Sequence, residues 1–408
     1  MSLSPHPSSV APSASSPAAT RRAIILVLDG VGCGAAPDTD AYGDTGSDTI
    51  GNVARAVGGL TMPTMQRLGF GNIAPIVGVD PEPQAVGAWG TLRPQSAGKD
   101  STAGHWELAG LHLERPFPTY PEGFPTDVIA AFSEATGRPV IANIVASGTA
   151  VIEDFAELQR DTGAWIVYTS ADSVFQIAAH EEWMPLEELY AACEIARALL
   201  VAPHDVSRVI ARPFLGDTGT WHRTANRRDY SIQPPGRTVL DALMDAGIPR
   251  HGVGKVDDLF AGRAIQAQHT AGNAEGIAAL LAWLETAPRG LCFANLVDFD
   301  QLFGHRNDVR GFQGALEVFD RALPSLLAAL REDDLLFITA DHGNDPTTPS
   351  TDHAREVVPL LVVGASVRGG PLGARSTFSD VGASVTDWFG VPWTGQGTSM
   401  LPDILHPA

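Results

Sequence analysis

The chain has 408 residues, 44% of them hydrophobic, and a formal net charge of -20. Such a length suits two domains with sizeable cores. The charge argues against nucleic acid and anionic membrane as main partners, so an anionic substrate needs local compensation from metals, arginine or lysine. Cys33, Cys193 and Cys292 are too few and scattered for a disulfide framework and fit a reducing, cytoplasmic setting. No run of about 18 apolar residues reads as a membrane span, and nothing calls for an obligate protein partner.

Residues 1–20 are rich in Ser, Pro and Ala and read as a disordered tail, not a secretory signal. The apolar run 23–28 then closes on Asp29. Similar runs follow at 165–168, 291–297, 335–340 and 357–363, leading into Asp172, Asp298 and Asp300, Asp341, and Gly364. Near-continuous Val/Ile/Leu runs predict strands buried on both faces of a parallel sheet. The spacing predicts helices over 276–286 and 311–330. One strand near the start and two nearly 300 residues later end in acids, which assembles the core from both ends of the chain. Open α/β sheets place their sites at such carboxyl ends. The stretch between, 116–231, reads as an inserted smaller α/β cap, with 21–115 and 232–408 as the catalytic core. No internal repeat is present.

The segment 98–107 sets Ser101 and Thr102 behind Lys99 and Asp100, with His105 and Glu107 alongside. Such hydroxyls are poor nucleophiles at neutral pH unless a base or metal activates them. One candidate metal set is Asp29, Asp341 and His342 with the hydroxyl of Ser101. A second is Asp300, His305 and His353. Carboxylates and imidazoles suit Mn, Mg, Zn or Fe, so the donors alone do not name the metal. Two ions about 4 Å apart would stabilise both the attacking and leaving oxygens of an in-line displacement. Arg208 and Arg212 in the cap region and Lys255 in the core can hold phosphate. Only Lys99 and Lys255 among 27 basic residues are lysine. Asp172 can accept hydrogen bonds from sugar hydroxyls, or simply cap a turn.

The segments 29–32, 98–110, 168–182, 209–214, 295–305 and 339–353 together resemble the phosphopentomutase family of the alkaline phosphatase superfamily, over 22–401. The resemblance implies an alkaline-phosphatase-like α/β core with a mostly parallel central sheet and an inserted cap. It implies two divalent metal ions, usually manganese, with Asp29, Asp341 and His342 at one and Asp300, His305 and His353 at the other. It implies a pentose phosphate substrate, a sugar bisphosphate activator, and interconversion of ribose 5-phosphate and ribose 1-phosphate or their 2-deoxy forms. The residue after Lys-Asp is then the phosphorylated nucleophile, here Ser101 where the family commonly has Thr, with Thr102 as the competing hydroxyl. Asp172, Arg208 and Lys255 match positions near substrate. A phosphatase on the same core, a cofactor-independent phosphoglycerate mutase and a non-catalytic phosphosugar-binding protein are the rival readings.

Overall fold

The computed structural model describes residues 20–170 and 172–406. Apart from Thr20, the tail expected over 1–20 lies outside the described residues.

Eight strands form one sheet. Their spatial order is Ala267–Gln268, Arg250–Val253, Gly290–Leu296, Arg22–Leu28, Asp334–Thr339, Val358–Val363, Ala88–Leu92 and Gly370–Arg375. Every pairing is parallel except the two made by Val358–Val363. Arg22 pairs with Gly290 on one side and Asp334 on the other, so the three central strands finish level. All three are buried along their whole length. Each aliphatic side chain so buried contributes roughly 1.5–3 kcal/mol.

The helices expected over 276–286 and 311–330 are Asn273–Thr286 and Val309–Ala328. The Asp308 carboxylate caps the second by accepting from the Gly311 amide at 2.8 Å. Two expectations of a strand in the parallel sheet fail, one here and one at 165–168 in a second sheet. The run 357–363, read as a parallel strand, lies antiparallel to both neighbours. Burial on both faces produces a continuous apolar run whichever way the strand points.

Six further strands make a second, mixed sheet: Val140–Val145, Trp165–Thr169, Val174–His180, Arg208–Leu215, His222–Arg223 and Arg228–Ser231. The run 165–168 belongs here, parallel to one neighbour and antiparallel to the other. Its alternation is plain. Trp165 and Val167 pack with Phe132 and Leu189 of the helices Thr126–Thr136 and Leu186–Leu199. Ile166 and Tyr168 pack on the other face, against Val151 and Ile152 of the helix Gly148–Thr162. No helix among the described residues is long and apolar enough to cross a membrane.

Candidate metal centre and phosphoryl-transfer site

The level ends of the three central strands create the site. Asp29 follows Arg22–Leu28, and Asp341 and His342 follow Asp334–Thr339. Asp300 lies in the turn Phe299–Phe303 after Gly290–Leu296, and His305 in the next turn, Gly304–Arg306. His353 arrives on the loop before Val358–Val363. The paired amides and carbonyls of Gly343 and Ala354, at 3.0 and 2.7 Å, hold that loop against the His342 segment.

The six side chains converge. His342 Nε2 lies 3.3 Å from Asp29 Oδ1 and 3.5 Å from Asp341 Oδ2. His305 Nε2 lies 3.1 Å from Asp300 Oδ2, and His353 Nε2 lies 3.4 Å from Asp300 Oδ1. Donor atoms of Asp29, Asp341 and His342 fall within 4.8 Å of one another, as do those of Asp300, His342 and His353. His342 therefore reaches both sets, whereas the sequence assigned it to one.

This donor set fits divalent cations. His342 and His305 each donate Nδ1–H to a carbonyl, of Gly343 at 3.0 Å and of Thr351 at 2.7 Å, which leaves Nε2 facing the carboxylates. Asp29 Oδ1, Asp341 Oδ2 and His353 Nε2 are buried without a hydrogen-bond partner among the described residues. Buried polar atoms are nearly always paired, so unpaired ones facing each other mark a ligand position.

The electrostatics agree. Burial, then the charges of Asp341 and Asp300, raise the Asp29 carboxyl. At Asp300 burial pushes up too, but His353 and His305 outweigh it and hold the carboxyl well below its ordinary value. Asp341 is lowered as well, because His342 and His105 prevail over its burial. The Asp300 hydrogen bond lifts His305 to about 9. His342 rises well above the ordinary value because Asp341 and Asp29 overcome its burial. Clustered carboxylates demand positive charge, and imidazole protons meet that demand here. Divalent cations meet it equally.

Ser101 opens the helix Ser101–Leu108. Asp100 caps it, accepting from the Ala103 amide at 3.1 Å. The Ser101 hydroxyl thus sits at a helix N-terminus, where phosphate is favoured, and its Oγ lies 3.1 Å from His342 Nε2. Thr102 is buried and also lines the cavity. A cavity of about 960 Å³ joins Asp29, Ser101, His353 and Lys255 of the first-sheet side to Asp172 and Arg208 of the second. Lys255 Nζ donates to Gln301 Oε1 at 2.6 Å, and Arg208 lies 3.4 Å from Asp229. Arg212 does not line this cavity; it donates to Gln176 Oε1 at 3.1 Å. Lys99 is held by Asp44 at 3.0 Å and Asp352 at 3.3 Å.

Sequence reasoning gave no role to Asn295 or Asn344. Asn295 Nδ2 donates to Asp29 Oδ2 at 2.9 Å, and Asn344 Nδ2 to Asp300 Oδ1 at 2.6 Å. Asn295 had a usable signal, a polar residue within the apolar run 291–297. Asn344 had none beyond its place beside the Asp-His pair.

Residues 21–392 match a family model described as the metalloenzyme superfamily. Phosphopentomutase from Caldanaerobacter subterraneus is 53% identical over 94% of this chain and 98% of its own length. The Desulfitobacterium hafniense phosphopentomutase is 54% identical over 94% of this chain and its full length. The chain belongs to the phosphopentomutase family. It is accordingly an isomerase that transfers a phosphoryl group, on an alkaline-phosphatase-like metal-binding core. Among solved structures, phosphoglycerate mutase from Leishmania mexicana aligns over 93% of this chain and 97% of its own, with 11% identity and a TM-score of 0.48.

Proposed function

We propose that this phosphopentomutase interconverts ribose 5-phosphate and ribose 1-phosphate, and the 2-deoxy pair, through phosphorylated Ser101 and a sugar 1,5-bisphosphate. The observation that carries the reading is the Ser101 hydroxyl, on a helix N-terminus against His342, in one cavity with Asp172, Arg208 and Lys255. Asp29, Asp341, His342 and Ser101 hold one divalent ion, and Asp300, His305 and His353 the other, manganese in both cases. Bound there, the ions supply Lewis acidity that favours the ionised Ser101 oxygen and neutralises charge on the transferring group.

The chain's own residues do the rest. Phosphorylated Ser101 loses its phosphoryl group to the free sugar hydroxyl: a new P–O bond forms at the sugar, the P–Oγ bond breaks, and the hydroxyl proton passes to the released Oγ. The released Oγ stays beside His342 Nε2 and the first amides of its helix. Asp172 accepts from the sugar hydroxyls, while Arg208 and Lys255 grip the phosphate remote from Ser101. The bisphosphate then turns, and its other phosphoryl group returns to Ser101. A sugar bisphosphate activator loads the serine at the start. Residues 116–231 act as a cap that keeps out water and retains the intermediate. The setting is the cytoplasm.

A coupled assay tests this by comparing ribose 1-phosphate isomerisation with phosphate release. Isomerisation far faster than release is the expected result. Release matching isomerisation would make the protein a phosphatase.

A further inference from the structure

Residues 93–100 join the strand Ala88–Leu92 to the helix Ser101–Leu108 and form neither helix nor strand. Side chains from distant segments bond the backbone of this loop instead. Glu107 accepts from the Gln95 amide at 2.9 Å and the Ser96 amide at 2.7 Å. The Tyr42 hydroxyl donates to the Ala97 carbonyl at 2.8 Å. Arg355 takes three more carbonyls. Its Nη1 donates to Ser96 at 2.6 Å and Gly98 at 2.8 Å, and its Nη2 to Pro94 at 3.2 Å. Nε and Nη2 also fork onto the Asp38 carboxylate, at 3.1 and 2.9 Å. The guanidinium lies over the Tyr42 ring, 4.7 Å from its centre. Arg355 is only 3% exposed. Arginine is seldom buried so fully unless its donors are paired. Its rigid fork spans several acceptors at once, which the point charge of lysine does not.

Arg355 stands two residues after His353, and Gly98 three residues before Ser101. One guanidinium therefore ties the loop that carries Ser101 to the loop that carries a candidate metal ligand. A second tie runs beside it. Asp44 accepts from the Arg355 amide at 2.8 Å and from Lys99 Nζ at 3.0 Å, and Lys99 reaches Asp352 at 3.3 Å. The two loops do not depend equally on the Arg355 side chain. The His353 loop has anchors of its own: the Gly343–Ala354 bridge, and Glu356 accepting from the Thr49 amide at 2.9 Å and the Gly34 amide at 3.2 Å. The loop 93–100 owes three of its carbonyl bonds to the one guanidinium. Removing that group thus falls on the Ser101 side.

We propose that Arg355 is a positioning residue, which holds the Ser101 hydroxyl against the metal donors by clamping the carbonyls of Pro94, Ser96 and Gly98. It does not line the cavity that joins Ser101 to Asp172 and Arg208, so it acts through the loop and not on the substrate. Its effect on rate rests on the reading of Ser101 as the phosphoryl acceptor. A reacting atom misplaced by about 1 Å costs on the order of a hundredfold in rate.

Two variants of the metal-loaded, full-length protein test the clamp. Arg355→Lys keeps a positive charge near Asp38 and gives up the fork. Arg355→Met keeps the apolar stem and gives up both. Hydrogen exchange at the Gln95, Ser96 and Ala97 amides reads the loop without turnover, and it should quicken at least about tenfold in both variants. Exchange at Gly343 and Ala354 should not change. Isomerisation should lose about ten- to a hundredfold in kcat in both, with KM within about twofold of wild type and the metal content unchanged. Unchanged exchange in 95–97 overturns the proposal. So does full activity in Arg355→Lys, which would make charge alone sufficient, or a loss of kcat no larger than the loss of folded protein or bound metal. Should neither variant fold, Asp38→Asn, at the solvent-exposed end of the fork, must quicken the same exchange and lower kcat more mildly, and no change there is equally fatal. A wild-type protein without mutase activity would refute the proposed function while leaving the exchange result intact.

Discussion

Ser101 Oγ lies 3.1 Å from His342 Nε2 although 241 residues separate the two in the chain. The helix Ser101–Leu108 packs beneath the Asp341 segment so closely that a Cβ on Gly104 would meet the Asp341 carbonyl at 2.2 Å. Gly104 thus permits the approach that sets the serine against the metal ligands.

Ser101→Ala should abolish turnover, by more than about a thousandfold, since nothing else at that position can carry the phosphoryl group. Thr102→Ala should keep most activity, because the hydroxyl that contacts His342 is that of Ser101. Peptide mapping of the activated protein should place the phosphate on Ser101. Phosphate found on Thr102 alone would refute the assignment.

The centre should hold two divalent ions per chain. Six Asp and His donors plus Ser101 exceed what one ion coordinates in four- to six-fold geometry. Elemental analysis at saturation should return two equivalents, and chelation should lower both activity and melting temperature. Ions that bind only the folded state stabilise it by about 2.7 kcal/mol at a hundredfold excess over Kd. One equivalent with full activity would contradict this.

The acids at strand ends were legible because a carboxylate closing an apolar run is conspicuous, as at Asp29 and Asp341. The level register that brings these two together was not, because it depends on which strands pair. Asn344 was illegible for a related reason: its side chain matters only through Asp300, 44 residues away. The direction of Val358–Val363 left no trace in its composition. Arg212 was grouped with Arg208, four residues before it in Arg208–Leu215, yet only Arg208 borders the cavity.

Asn344→Ala should weaken metal affinity about 10- to 100-fold, the usual effect of losing a partner that orients a ligand. The amide donates to Asp300 Oδ1 at 2.6 Å, and its backbone N–H is fixed by Thr49 Oγ1 at 3.1 Å. Loss should fall on the ion proposed at Asp300, His305 and His353. Metal titration with unchanged affinity for both ions would show that Asp300 needs no such orientation.

Glu356 should make stability fall as pH rises. It is buried and accepts from the Gly34 and Thr49 amides and the Thr49 hydroxyl. Burial pushes its carboxyl up to about 8 from 4.5. The folded state therefore binds more protons than the unfolded state across that window, and its advantage is lost as pH rises through about 8. Glu356→Gln keeps the shape and removes the titration. Urea unfolding at pH 5.5 and 8 should show the variant gaining on wild type by about 1 kcal/mol or more as pH rises. A constant difference between the two would mean that the carboxylate is charged throughout.

The cap proposed over 116–231 should decide between mutase and phosphatase behaviour. Ser101 and the candidate metal donors all lie on the first-sheet side, and on the proposed reading they suffice to form and hydrolyse a phosphoenzyme. On the same reading that side lacks a wall that retains the bisphosphate; Asp172, on the loop before Val174–His180, and Arg208 line the cavity from the second-sheet side. Replacing 116–231 by a short linker should cut isomerisation far more than phosphate release from a small aryl phosphate, once folding and metal content are verified. In the full chain, Arg208→Gln should act in the same direction but more mildly, loosening the remote phosphate and leaving the metals in place. Release should rise relative to isomerisation as the bisphosphate escapes before turning. If the folded core keeps substantial isomerisation, or if Arg208→Gln lowers both rates equally, retention lies elsewhere than in this wall.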